Sequence, residues 1–160
     1  MLPLPRPETV VPLLARPLRL VPHALQQRPL ELALEQLFRA SVAEGALDFL
    51  DGRCMAVELA DAGWRWPVAL GAGRLEVLAR DHPADVTIRG QSWDFFRMAA
   101  GLADPDTLFF QRRLVIEGDT ELGLGVKNFL DGLDEEQLPR PAQAGLRALR
   151  GVQTRLGVRR

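Results

Sequence analysis

The spacing of hydrophobic residues changes several times along the chain, and each change marks a predicted element. From Leu30 to near Gly45, apolar residues recur every three or four positions with charged residues opposite, which predicts an amphipathic helix. The period then falls to two, and short turns separate four such runs. This pattern predicts four strands joined as an antiparallel meander. The runs cover residues 55–59, 64–70, 75–77 and 86–88.

The helical period returns after the fourth strand. Residues 92–102 predict one helix, and Asp104 followed by proline predicts the start of a second, short one. A fifth strand over 113–118 then leads to Asp119, a predicted N-cap for a longer helix. The apolar stripe of that last helix consists of Leu122, Val126, Phe129 and Leu133.

These elements predict an α+β fold, with a five-stranded, mostly antiparallel sheet covered by helices. The most natural division of the 160 residues places one domain over residues 30–138. Residues 1–29 precede it as a basic segment with seven prolines, and residues 139–160 follow as an arginine-rich amphipathic segment. We expect the two flanking segments to lie on the domain, on a membrane or on a partner.

The net charge of −1 hides an uneven distribution. Residues 1–29 carry a net charge of +3, residues 30–138 carry −10 and residues 139–160 carry +6. Basic ends on an acidic body are typical of binding to an anionic membrane surface, although such ends can also dock on their own domain. The acidic body argues against nucleic acid as a partner, because phosphate contacts dominate that kind of affinity.

Cysteine content and hydropathy indicate a cellular compartment. Cys54 is the only cysteine, which is typical of a reducing cytoplasm. The prolines near the N-terminus are incompatible with the helical core of a signal peptide, and no apolar run reaches about 18 residues. We therefore expect a cytoplasmic protein, with peripheral binding at the inner membrane face left open.

The residues needed for catalysis or metal binding are not grouped in the sequence. His23 and His82 stand in unrelated loop contexts, so neither a zinc site nor a hydrolase is expected. Gly123 and Gly125 lack the third glycine of a dinucleotide-binding loop, because Asn128 occupies that position. These glycines instead predict a helix thin enough for a backbone or a ligand tail to approach. We expect no enzyme activity and no cofactor.

Large apolar side chains are concentrated on the predicted helices, and a packed core is the simplest explanation for any one of them. As a group they predict an apolar ligand cavity. Its candidate lining residues are Phe38, Trp93, Phe95, Phe96, Met98, Leu102, Phe109, Phe110, Leu122, Val126, Phe129 and Leu130. The candidate membrane or headgroup contacts are Arg112, Arg113, Arg147, Arg150 and Arg155.

Two motifs carry a resemblance to a known family. The run DVTIRG at 85–90, and the run ADPDTLFFQRRLVIEGDTELGLGVKNFLD at 103–131, resemble the bacterial branch of the sterol carrier protein 2 family of lipid-binding domains. The resemblance covers about residues 30–134. It implies a five-stranded sheet with helices around an apolar tunnel, and a non-catalytic carrier of hydrophobic molecules.

The resemblance further implies an accessory factor of oxygen-independent ubiquinone biosynthesis. Its ligands would be polyprenylated quinone precursors and phospholipid, and its partners would be peptidase-like iron–sulfur hydroxylase proteins of that pathway. The sequence leaves a homodimer open. The competing interpretation is a protein-interaction module that docks a partner through its apolar surface and holds no lipid.

Overall fold

The computed structural model describes residues 20–99 and 101–133. Helices and strands follow the order expected from the sequence, which confirms the α+β class. The helices are α1 His23–Ala43, α2 Ser92–Ala99, α3 Pro105–Phe110 and α4 Thr120–Asp131, with a 3-10 turn at Asp48–Leu50. The strands are β1 Cys54–Leu59, β2 Trp64–Gly71, β3 Arg74–Val77, β4 Val86–Gly90 and β5 Leu114–Gly118.

The five strands form one sheet in the order β3-β2-β1-β4-β5. The first three make the predicted meander, but β4 lies beside β1 and runs parallel to it. The prediction that β4 continues the meander is therefore wrong, and the sheet is mixed, with its other pairings antiparallel. Two hydrogen bonds fix the crossover, because Asp85 N–H donates to the Cys54 carbonyl at 2.8 Å and Cys54 N–H donates to Asp85 Oδ2 at 2.8 Å.

Helix α1 begins at His23, seven residues before the predicted start at Leu30, and it contains Pro29. A proline inside a helix removes one backbone hydrogen bond, so the prolines of the preceding segment did not favour a helix here. Contacts with β3 support this part of α1. Gln27 Nε2 donates to the Val77 carbonyl at 3.2 Å, and Val77 N–H donates to Glu31 Oε1 at 3.0 Å.

The helix starts at α3 and α4 are capped as predicted. Asp104 accepts from Thr107 N–H at 2.8 Å, and Asp119 accepts from Leu122 N–H at 2.9 Å. These bonds satisfy backbone donors that have no partner within the helix. The predictions of both N-caps are confirmed.

The two glycines of α4 allow close packing against the protein's own side chains. A Cβ atom at Gly125 would lie 2.9 Å from Phe49, and one at Gly123 would lie 3.2 Å from Ile116. Helix α4 is thus thin where predicted, and what approaches it at these points is part of the same chain.

The helices cover one face of the sheet, and the core lies between them. Its fully buried part joins both layers and consists of Leu47, Leu50, Val68, Leu75, Val77, Val86, Ile88, Leu108, Leu114, Leu122 and Val126. The opposite face of the sheet carries ion pairs, in which Glu58 binds both Arg65 at 3.3 Å and Arg89 at 2.8 Å. The helix-covered face is therefore apolar, whereas the opposite face carries these ion pairs beside the buried side chains of Cys54, Ala56 and Pro67.

Candidate functional site

The helix-covered face of the sheet is the candidate site, and we call it the apolar sheet face. Strand register aligns Val57 of β1 with Trp66 of β2 and Ile88 of β4, so side chains on all five strands share this face. Its residues are Met55, Val57, Leu59, Trp64, Trp66, Val68, Leu70, Leu75, Val77, Val86, Ile88, Leu114 and Ile116.

The buried core occupies only part of this face. Val57, Leu59 and Trp64 lie outside the core cluster, and each remains partly exposed. Trp64 contacts Trp66 edge to face, with 5.0 Å between the ring centroids. The sheet therefore presents apolar surface beyond what the described helices bury. These strand residues were not predicted as site residues, although two tryptophans on one face of a strand were a usable signal.

Seven of the predicted lining residues on α1, α2 and α4 belong to the core or pack on it, and they fall into two groups by burial. Leu122 and Val126 are 5% and 1% exposed and belong to the core itself. The second group packs on the core but stays partly exposed, and it contains Phe38, Phe95, Met98, Phe129 and Leu130. Phe129 joins two elements in this group, because its ring lies 5.5 Å from that of Phe38 and 6.3 Å from that of Phe49.

The remaining predicted residues lie toward the surface. Trp93 stacks on Phe96 at 5.2 Å, and Leu102 is partly buried. Phe109 is 38% exposed and Phe110 is 80% exposed. Phe110 thus projects from the end of α3 and does not line an interior space. The clefts of about 290–460 Å³ in the described part of the chain include only Trp93 from the predicted lining set. An enclosed apolar tunnel stays a prediction.

The predicted headgroup arginines have different environments. Arg113 forms an ion pair with Asp94, whose carboxylate is fully buried. Arg113 Nε donates to Asp94 Oδ2 at 3.2 Å. Arg112 is exposed and lines a cleft of about 460 Å³ beside Trp93. The structure therefore gives Arg113 a structural partner, whereas Arg112 remains accessible. Arg147, Arg150 and Arg155 lie outside the described residues.

We expect Arg113→Ala to lower the free energy of unfolding by about 2 kcal/mol or more, because it leaves the buried Asp94 carboxylate without a cation. Urea denaturation of the purified variant measures this. Arg112→Ala is the matched control, since Arg112 is the exposed neighbour of Arg113, and its expected change is below about 0.5 kcal/mol. Equal effects of the two substitutions would contradict the assigned role of Arg113.

An ion-pair cluster at the start of α4 fixes that helix to the sheet. Arg53 bridges Asp119 at 2.7 Å and Asp85 at 3.3 Å. The Leu122 N–H and then Arg53 lower the pKa of Asp119, and Asp119 in turn raises the pKa of Arg53. Because the pKa of Asp119 is lower in the folded state, its contribution to stability is present above the unfolded pKa and is lost on acidification.

The described residues contain no group of three or more histidine, cysteine, aspartate or glutamate side chains that could hold a metal ion. Burial raises the pKa of the Cys54 thiol, which disfavours the reactive thiolate. None of the described helices is long and apolar enough to cross a membrane.

Comparison with known proteins agrees with this geometry. The ubiquinone biosynthesis accessory factor UbiT of Escherichia coli strain K12 is 44% identical over 128 residues, which span 80% of this chain and 73% of UbiT. Among solved structures, the ubiquinone synthesis protein UbiJ-SCP2 matches with a TM-score of 0.53 at 19% identity. That match covers 68% of this chain and 91% of the UbiJ-SCP2 chain, and it supports the fold alone.

The family model described as the SCP-2 sterol transfer family matches residues 30–131, which run from the middle of α1 to the end of α4. This range contains the whole sheet and all the elements that form the apolar sheet face. The sequence-based identification is thereby confirmed: the chain belongs to the SCP-2 sterol transfer family.

Proposed function

We propose that this protein is a non-catalytic lipid carrier that serves ubiquinone biosynthesis as an accessory factor. In this role it holds a polyprenylated quinone precursor, or a phospholipid, against the apolar sheet face. The observation that carries the proposal is the extension of that face past the buried core at Val57, Leu59 and Trp64. Family membership and the similarity to UbiT support it.

The physical basis for binding is removal of apolar surface from water. Each Å² of buried apolar surface contributes about 25 cal/mol, so a long isoprenoid tail binds without directional contacts. Val57, Leu59 and Trp64 supply such surface on the sheet, because each is partly exposed and lies outside the core cluster. The specificity for one lipid over another then depends on the length of the site and on a few polar groups near the headgroup.

The proposed setting is the cytoplasm, with transient contact at the inner membrane face. Phe110 is exposed at the end of α3, and the exposed Arg112 lies two residues later. An apolar ring next to a cationic side chain suits the membrane interface, where lipid tails meet anionic headgroups. The proposed partners are the peptidase-like iron–sulfur hydroxylases of the oxygen-independent pathway, which would receive the ligand.

The test is to identify what purifies with the protein. We expect native mass spectrometry to show an adduct with the mass of a lipid, and organic extraction to release a polyprenylated quinone precursor or a phospholipid. Washing with detergent should remove the adduct while the circular dichroism spectrum stays unchanged. Protein that carries no lipid and takes none from vesicles would favour the competing function, a module that docks a partner protein on the apolar sheet face.

A further inference from the structure

A cleft of about 290 Å³ lies where the start of α1 meets the end of the apolar sheet face. His23 and Gln26 of α1 form one wall, and Trp64, Arg65 and Arg80 form the other. By strand register, Trp64 stands on the apolar sheet face, so the cleft opens beside the partly exposed apolar surface.

Two ring nitrogens of residues that line this cleft are buried. Trp64 Nε1 and His23 Nε2 are shielded from solvent, and neither has a hydrogen-bond partner among the described residues. The adjacent Trp66 differs, because its Nε1 donates to Gln26 Oε1 at 3.3 Å. Buried polar groups are normally paired, so two unpaired nitrogens on one cleft indicate a place for a ligand's polar atoms.

The arginines of the cleft are held in place by backbone carbonyls. Arg65 Nη1 donates to the carbonyls of Arg80 at 2.6 Å and His82 at 3.0 Å, while Arg80 Nη2 donates to the Gly63 carbonyl at 2.7 Å. Arg65 also pairs with Glu58, but Arg80 forms no ion pair with any described residue. Arg80 thus brings a positive charge that the Gly63 carbonyl holds in place, and it also lines the neighbouring cleft with Asp81 and Glu58.

We propose that this cleft binds the anionic headgroup of an amphipathic ligand, a carboxylate or a phosphate, while the tail follows the rings of Trp64 and Trp66 onto the apolar sheet face. An indole N–H and a guanidinium only donate, and the imidazole donates in its Nε2–H tautomer. A set of donors requires acceptor oxygens. The inference rests on the proposed function, because it assigns a headgroup site to the same carrier.

The test compares amphiphiles that share one tail. Protein labelled with ¹⁵N is titrated below the micelle concentration with dodecyl phosphate, dodecanoate and the neutral dodecyl maltoside. We expect the indole N–H signal of Trp64 to shift with the two anions, and the tighter anion identifies the headgroup chemistry. We expect the preferred anion to bind at least about tenfold more tightly than the neutral amphiphile, because a hydrogen bond to a charged group contributes more than one to a neutral group.

Variants separate the headgroup site from the tail site. Trp64→Phe and Arg80→Gln should each reduce the preference for the anion over dodecyl maltoside about tenfold. Arg80→Gln, which leaves the rings of the tail site intact, should leave binding of dodecyl maltoside nearly unchanged. His82→Gln is a control that should leave the preference unchanged, because His82 is exposed and lies outside the cleft. Equal binding of anionic and neutral amphiphiles would overturn the headgroup site and leave the carrier function standing. Failure of all three to bind would overturn the carrier function itself.

Discussion

Replacing Val57 with glutamate should abolish the proposed lipid binding while the fold persists. Val57 lies at the centre of the sheet between Trp66 and Ile88, faces the helices and is partly exposed outside the core. A carboxylate there remains hydrated in the empty protein but loses its water when an alkyl chain covers it. That desolvation costs at least about 3 kcal/mol, or about a hundredfold in affinity.

Val115→Glu is the matched control. Val115 is also a partly buried strand valine, but it aligns with Arg89 on the polar face of the sheet. Lipid extracted per mole of protein and the thermal unfolding midpoint are measured for both variants. We expect Val115→Glu to retain the lipid of the parent protein. Equal lipid content in the two variants would contradict the assignment of the ligand to the apolar sheet face.

Local features of the fold were predictable because they depend on neighbouring residues. Strand alternation located all five strands, and the caps at Asp104 and Asp119 follow from the backbone donors of the next turn. The start of α1 was not predictable in this way. Pro29 argues against a helix locally, and the contacts that support it come from Val77, which is 50 residues from Gln27.

The place of β4 in the sheet depends on contacts that periodicity does not encode. Alternation at Val86 and Ile88 indicates a strand, but either β3 or β1 could have been its neighbour. The deciding interactions join Asp85 to Cys54, at a separation of 31 residues. Short turns made the meander the simplest topology, and it holds for β1, β2 and β3 only.

Residues of the candidate site were predictable by type but not by environment. Val126 and Val57 both lie on apolar stripes, yet Val126 is 1% exposed within the core while Val57 lies beyond it. Arg113 resembled a free surface cation until the fold placed the buried Asp94 beside it. His23 was predicted to lie in a loop and was given no functional role. The sequence could not show that it lines a cleft with Trp64, because Trp64 comes from a distant strand. Burial depends on tertiary contacts, so it cannot be predicted from the pattern of a single sequence.

Gly118→Ala should destabilise the protein by about 3 kcal/mol or more. Gly118 ends β5 with a φ of +118°, a conformation that costs a residue with a side chain about 1–3 kcal/mol. An added Cβ atom would also overlap the Asp85 carbonyl oxygen and lie 3.0 Å from the Val86 Cα. Because Asp85 also binds Arg53 and the Cys54 N–H, its displacement would loosen the junction of β1, β4 and α4.

Gly73→Ala separates backbone strain from this steric conflict. Gly73 has a φ of +73°, but an added Cβ atom there meets nothing within 4 Å. We expect this control to cost only about 1–2 kcal/mol, from the left-handed conformation itself. Urea denaturation curves give both free energies of unfolding. If Gly118→Ala lowers the free energy of unfolding no more than Gly73→Ala does, Asp85 moves without cost. The steric conflict with Asp85 would then not explain why β5 ends in a glycine.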